Sequence, residues 1–331
     1  MRPLTVLVTG ATGFIGSRVV SQLLNAGTIG RAITVRALAR AVPQGARPLP
    51  GVTWLLADLT DPASLRHVAD GADVVIHLAS RIAGDEAQCA AVNVHGTTAL
   101  AEEIRRSGVQ RIVHLSTSAV YGPGPHRGIS VDAIDPSPVS AASRTRLAGE
   151  APMLAAGAIV LRPGLVLGAG DRWVVPTLAA LMEQVPARWD GGRGLLSMVD
   201  VDDLARLVTA LATTADAPSA GVYHASHPRP VRNRDLMAEL ARLKVLPDGL
   251  HDWSWEECLA QLRCSSGAVS ERQFSLLARD HWYRSEEIWW AACCPTGPGP
   301  VARLVAAAPW YRAHLGRQRN VSPAASASHT A

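Results

Sequence analysis

The chain has 331 residues, 48% of them hydrophobic and 18% charged, with a formal charge of +4, which fits one large globular domain or two coupled ones. No apolar run approaches the roughly 20 residues that span a bilayer, so no membrane partner is expected. Five cysteines without a C-x-x-C pair argue against a disulfide framework, and arginines that are scattered rather than striped argue against a nucleic-acid partner.

The strand pattern starts at Leu4 with no basic leader before it, and a reduced cytoplasm is the expected setting. Leu4–Thr9 reads as a buried strand. Ile15–Asn25 reads as a helix, with apolar side chains at Ile15, Val19, Val20, Leu23 and Leu24. Further strands are expected at Ile33–Ala39, Val52–Leu56, Val74–Leu78, Ile112–Leu115 and Ala158–Leu161. Helices between them are expected at about Pro62–Asp70, Asp85–Ser107 and Pro138–Ala155. Strands alternating with helices imply an α/β fold, a doubly wound parallel sheet with its ligand at the carboxyl ends of the strands.

Beyond Gly168 the alternation weakens. A helix at Trp173–Gln184 is followed by a loop, Pro186–Gly194, and a strand, Leu195–Val199. Asp202 or Asp203 is expected to cap the next helix, and Val222–Ala225 to return to the sheet. All tryptophans except Trp54 lie from Trp173 onward. The expected division is a Rossmann domain of residues 1–168 plus about 199–226, and a smaller, mainly helical substrate domain of about 169–198 plus 227–316. Residues 317–331, rich in Ser and Ala, read as a disordered tail.

Gly10-Ala11-Thr12-Gly13-Phe14-Ile15-Gly16 follows the first strand and opens the first helix. The glycines give a tight turn, close approach of backbone to a pyrophosphate, and contact between helix and strand. The helix N-terminus adds amides and a positive dipole for the phosphates. At the end of the second strand, where an acid would hold the ribose hydroxyls of NAD, the chain has Ala39 and then Arg40. A guanidinium can grip a 2′-phosphate through paired hydrogen bonds, so NADPH/NADP+ is the expected cofactor.

The ordered series resembles the extended short-chain dehydrogenase/reductases, the epimerase/dehydratase-like group that also contains many ketoreductases. It comprises Thr9-Gly10-x-x-Gly13-x-x-Gly16, Asp58-Leu59, His77-Leu78-Ala79-Ser80, Asn93-Val94-x-Gly96-Thr97 and Ser116-Thr117-Ser118-Ala119-Val120-Tyr121-Gly122. Arg162-Pro163-Gly164 and Val201-Asp202-Asp203-Leu204-Ala205 complete it. The resemblance implies that Asp58 and Leu59 lie at the adenine, that Leu78, Ala79 and Ser80 wall the ribose and phosphates, and that Pro163 packs near the nicotinamide. It implies that Thr117 hydrogen-bonds the reacting carbonyl. Many relatives pair as dimers through the two helices around 85–107 and 138–155, so a homodimer is possible.

The resemblance breaks at the catalytic helix, Pro136 to Glu150. Where the family has tyrosine this chain has Ala142, and where it has lysine this chain has Arg146. Arg146 can still bond ribose hydroxyls, but a guanidinium stays protonated and is a poor acid. Three readings stay open. The first is a reductase of a ring ketone in a polycyclic aromatic polyketide of angucyclinone type, in antibiotic biosynthesis, with a proton supplied by the substrate's own phenol. The second is a non-catalytic NADP-binding sensor or scaffold. The third, a sugar-nucleotide epimerase or dehydratase, needs an ionised tyrosine to start. No pair of histidines sits at metal-ligand spacing with an acid, so no metal is expected. His126 and the pair His281/Tyr283 could reach the pocket, and none of them is expected to replace the missing acid.

Overall fold

A computed structural model describes residues 2–42, 49–216, 218–267 and 269–321. In strand β1 (Leu4–Thr9), Leu7 and Val8 point to opposite faces and both are fully buried. A strand covered on both faces is the mark of a parallel sheet between helix layers. β2 (Ile33–Ala39), β3 (Val52–Leu56), β4 (Val74–His77) and β5 (Arg111–Leu115) follow, and Ile159–Arg162 and Gly221–His224 complete seven parallel strands. Across the sheet the order runs Gly221–His224, Ile159–Arg162, β5, β4, β1, β2, β3. The direction of winding reverses between β1 and β4, which opens a crevice at their carboxyl ends.

Helix α1 (Phe14–Ile29) packs on the sheet beside the helix Val201–Thr213. Three helix expectations need correction. Pro62–Asp70 forms only a short 3₁₀ turn, Pro62–Leu65. His67 then takes a left-handed conformation (φ 63°), with its amide donating to Glu103 at 2.8 Å, so the helix cannot continue. Pro138–Ala155 begins at Ala141, where Ser140 and Ser143 form a reciprocal cap. Neither Asp202 nor Asp203 caps Val201–Thr213. Asp200 does, accepting from the Asp202 amide at 2.9 Å, while Asp203 is buried against Arg206 and Arg303.

Within Asp85–Ser107 the helix passes through a wide turn at Ala91–Gly96. The expected strand Leu195–Val199 divides in two. Leu195–Leu196 joins a four-stranded sheet with Val231–Arg232, His281–Tyr283 and His126–Ile129, and Met198–Asp200 pairs with Leu165–Leu167. His126–Ile129, from the first half, thereby ties the two parts together. The C-terminal part is mainly helical, with Val174–Gln184, Asn233–Arg242, Trp255–Cys264, Glu271–Ala278 and Pro300–Val321. This last helix runs past Arg317, where the tail was expected to start, and residues 322–331 lie outside those described.

Trp189 lies in the core of this part and Trp173, Trp253, Trp255 and Trp310 pack against it, whereas Trp289 joins the core beneath the large sheet and Trp290 is exposed. Trp189 is fully buried edge-on to Phe274, and Trp255 stacks on Phe274 with ring centres 4.9 Å apart. Among the described residues no helix is long and apolar enough to cross a membrane, all five cysteines are free, and no cluster could hold a metal.

Candidate active site

The glycine loop sits at the carboxyl end of β1. Gly10 has φ 68°, and a Cβ there would stand 2.7 Å from the Ala79 amide. A Cβ on Gly16 would stand 2.0 Å from the Gly10 carbonyl. Both positions require glycine, the first for its conformation and for space, the second for the approach of helix to strand. Thr9 Oγ1 accepts from the Ala79 amide at 3.2 Å, which brings Leu78, Ala79 and Ser80 beside the loop. α1 starts at Gly13 with no side chain capping its amides, and Thr12 and Gly13 are exposed. Phe14 and Ile15 follow in the first turn, with Phe14 packed close to Gly170. Uncapped amides at the start of a 16-residue helix suit a phosphate, so the cradle fits a dinucleotide.

At the far end of the crevice Arg40 is exposed, with no hydrogen-bond partner among the described residues. Asp58 Oδ1 accepts from the amide and hydroxyl of Thr60, each at 2.9 Å. The Thr60 amide holds the Asp58 carboxyl below its ordinary value, assisted by the Thr60 hydroxyl and the Arg40 charge. Leu59 is buried, with its carbonyl 2.4 Å from where a Gly96 Cβ would stand. Arg40 and Asp58 are thus within electrostatic reach of each other.

Thr117 follows β5 and caps the short turn Ser118–Tyr121, its oxygen accepting from the Ala119 amide at 3.2 Å. Its own hydroxyl hydrogen has no acceptor among the described residues, so it is free for a ligand oxygen. The Ser118 amide donates to the Pro163 carbonyl at 2.9 Å, which fixes Pro163 beside this turn. Asn93, on the wide helical turn, clamps the neighbouring loop. Its side chain exchanges hydrogen bonds with the Arg81 amide (2.7 Å) and carbonyl (2.8 Å), and donates to Thr145 Oγ1 at 2.9 Å. Thr145 lies on the helix that carries Ala142 and Arg146, so one residue holds two walls of the crevice.

Arg146 turns toward the end of β5. Its Nη2 donates to the carbonyl oxygens of Leu115, at 3.1 Å, and Ser116. Nε is sealed from solvent without a partner, whereas Nη1 is neither sealed nor bonded among the described residues. Burial pulls the guanidinium down to about 10, which leaves it protonated at neutral pH.

Sequence reasoning missed the polar network beside it. Glu150 binds Arg162 through two hydrogen bonds of 3.0 and 2.6 Å and accepts from the Ser116 hydroxyl. Arg162 also donates to Tyr121 Oη at 2.9 Å, and that oxygen lies 2.8 Å from His224 Nε2. Tyr283 stacks on Tyr121, and its hydroxyl meets His126 Nδ1 at 3.1 Å. His281 Nε2 accepts from the Gly124 amide at 3.1 Å. Tyr121, Tyr283, His126 and His281 are all buried. Burial raises both phenols above the ordinary range and brings His224 and His281 down to about 4. Glu150 and Arg162 stand twelve residues apart, and their pairing had no local signal beyond a charged residue inside a strand pattern.

With this geometry in hand, comparison with known proteins is specific. The model of the NAD dependent epimerase/dehydratase family matches residues 6–225. The 4-hydroxy-2-methyl-3-oxo-4-farnesyl-3,4-dihydroquinoline-1-oxide ketoreductase of Stigmatella aurantiaca is 30% identical over 246 residues, which cover 70% of this chain and 71% of that protein. The 2-alkyl-3-oxoalkanoate reductase of Stenotrophomonas maltophilia is 31% identical over 255 residues, covering 71% and 74%. Among solved structures, a dTDP-glucose 4,6-dehydratase from Streptomyces venezuelae with NAD and TYD bound superposes with a TM-score of 0.72. It is 20% identical, over 95% of this chain and 98% of that one, so its likeness shows the fold.

Proposed function

The chain belongs to the NAD dependent epimerase/dehydratase family, and from that premise we propose that it is an NADPH-dependent ketoreductase that receives its proton from the substrate. The observation that carries this reading is that Thr117, at the end of β5, has a free hydroxyl hydrogen while the catalytic helix has alanine, Ala142, at the position where the family has its tyrosine. On this reading Thr117 gives the carbonyl a hydrogen-bond donor, and Ala142 gives it no acid. Two relatives that share most of the chain's length are named as a ketoreductase and an oxoalkanoate reductase.

When bound, the dinucleotide supplies hydride. The chain's own residues do the rest. The Gly10–Gly16 loop and the first turn of α1 hold the pyrophosphate, and Leu78, Ala79 and Ser80 wall it. Asp58 and Leu59 flank the adenine, and Arg40 meets the 2′-phosphate that distinguishes NADP. One hydrogen of Arg146 Nη1 takes a ribose hydroxyl, Pro163 packs on the nicotinamide side, and Thr117 donates to the substrate carbonyl.

In its missing tyrosine and its NADP-type strand end the chain resembles the angucyclinone ketoreductase of simocyclinone biosynthesis. The finer reading is therefore reduction of a ring ketone in a polycyclic aromatic polyketide to a hydroxyl. The buried tryptophans lend this no support, because they pack the core. Ile82, on the loop after β4, and Ile134 and Val139, on the loop before the catalytic helix, are exposed apolar side chains available to a wide substrate instead. Pairing of two chains through the helices around 86–107 and 141–155 belongs to the same proposal.

Epimerase or dehydratase chemistry begins by taking a hydroxyl proton, which needs an ionised base. Tyr121 and Tyr283, the phenols nearest the site, are held neutral by burial and cannot serve. The test is NADPH oxidation, with NADH in parallel, using phenolic polycyclic ketones beside matched ketones that lack the adjacent hydroxyl. General acid help is typically worth about 10²–10⁴-fold, so the phenolic set should react at least tenfold faster. Equal rates would overturn the substrate-supplied proton. Tight NADPH binding with no turnover would support the sensor.

A further inference from the structure

His227 is 4% exposed, and its Nε2 is buried without a hydrogen-bond partner. The Arg229 amide donates to the other ring nitrogen, Nδ1, at 3.2 Å, and the Arg229 carbonyl lies slightly farther off, at 3.3 Å. An Nδ1 that accepts leaves the ring hydrogen on Nε2, so the unpaired atom is a donor. Most buried polar atoms are paired within the fold, and one that is not asks for an acceptor from outside it. His227 follows the edge strand Gly221–His224, on the opposite side of the sheet from β2 and Arg40.

The ring lines a cleft of about 500 Å³ together with Arg229, Arg232, Asp235 and the first turn of the helix Pro300–Val321. Gly299, just before that helix and in the same lining, faces the unpaired edge of the ring. It has φ 98°, and a Cβ on it would stand 3.6 Å from both Nε2 and Cε1. The helix has no acid in its first turn, and the amides of Val301 and Ala302 have no acceptor among the described residues. Its positive end therefore opens on the cleft uncompensated. Arg229 and Arg232 are exposed, and neither guanidinium has a partner among the described residues. Asp235, the acid in the lining, is already beside Arg234 at 3.6 Å.

We infer that this cleft binds a phosphate group, carried by a small organic phosphomonoester or present as the free ion. A buried ring N–H, two helix amides and two guanidiniums meet around one space, and all of them donate. Two guanidiniums match a dianion, whereas a carboxylate would satisfy only one of them. Helix amides with a positive dipole behind them suit the same ligand. The dinucleotide's own phosphates belong elsewhere, because the glycine loop follows β1 and Arg40 follows β2, away from the edge strand that leads to His227. Leu195 and Val231 add apolar surface to the lining, so an organic body attached to the phosphate has something to pack on. The site stands whether or not the chain reduces ketones.

The test is calorimetric titration of the full chain, saturated with NADP+ so that the glycine loop is filled, with inorganic phosphate and with phenyl phosphate. Binding in the millimolar range or tighter is expected. His227→Phe keeps a ring and removes the donor, and it should weaken binding about tenfold or more, the worth of a hydrogen bond to a charged group. The double variant Arg229→Met/Arg232→Met changes only exposed side chains and should weaken it at least as much. Unchanged NADP+ affinity shows that each variant is folded, and if His227→Phe is not, the arginine variant decides. A preference of about tenfold or more for phenyl phosphate identifies the monoester as the ligand, and equal affinities identify the free ion. No binding of either probe overturns the site, as does full binding by a folded His227→Phe. Benzoate bound as tightly as phenyl phosphate would overturn the assignment to phosphate.

Discussion

Two arginines reach the same end of the sheet with opposite fates, Arg162 buried and Arg146 partly so. Arg162, at the end of its strand, has a carboxylate on two sides and a phenol on the third, and its side chain is 6% exposed. Arg146, from the helix, has two carbonyls and an unpaired Nε. The charges are alike, but one is neutralised by the fold and the other is left for something outside it. Arg162 is therefore structural, and Arg146 has the surroundings of a binding group.

The largest expected effect lies on the neutralised side. Glu150→Ala strips Arg162 of its carboxylate and the Ser116 hydroxyl of its acceptor. Removing one partner of a buried pair typically costs about 3–5 kcal/mol, which urea unfolding would register. A loss below about 1 kcal/mol would mean that Arg162 is no better matched than Arg146.

Arg146→Met should do the reverse, leaving stability within about 1 kcal/mol of wild type or above it, because it removes an uncompensated charge. It should also change the response to acid. His77 is pulled to about 4 by burial first and by Arg146 second, so from pH 6.5 down to 4 the unfolded chain binds more protons and stability falls. Without the guanidinium the folded-state value rises and that fall becomes shallower. A destabilisation as large as that of Glu150→Ala, or an unchanged acid limb, would erase the distinction.

The contrast also marks what sequence could disclose. The glycine loop was legible because backbone demands residue type there: only glycine fits φ 68° against the Ala79 amide. The gap at Ala142 was legible because the flanking motif kept its register. Both are local. The Glu150–Arg162–Tyr121–His224 chain was not, since it joins a helix, two strand ends and a turn that meet only after the sheet is wound. The cap at Asp200 was misplaced onto its neighbours for a related reason. Three aspartates in four residues look equivalent until Asp203 is buried against Arg303, a hundred residues away.

The smallest expected effect comes from restoring the phenol itself. Ala142→Tyr places a hydroxyl one turn from Arg146, where a nearby positive charge favours its ionised form. For phenolic ketones the proton already arrives from the substrate, so kcat should change by less than about threefold, and KM should rise as the ring takes space from a wide substrate. Matched ketones without the hydroxyl are the control, and they should gain as the new phenol becomes their only acid. A large gain on both sets would instead mean that nothing replaced the lost tyrosine. Arg146 would then be the ribose anchor of an ordinary reductase that has lost its acid.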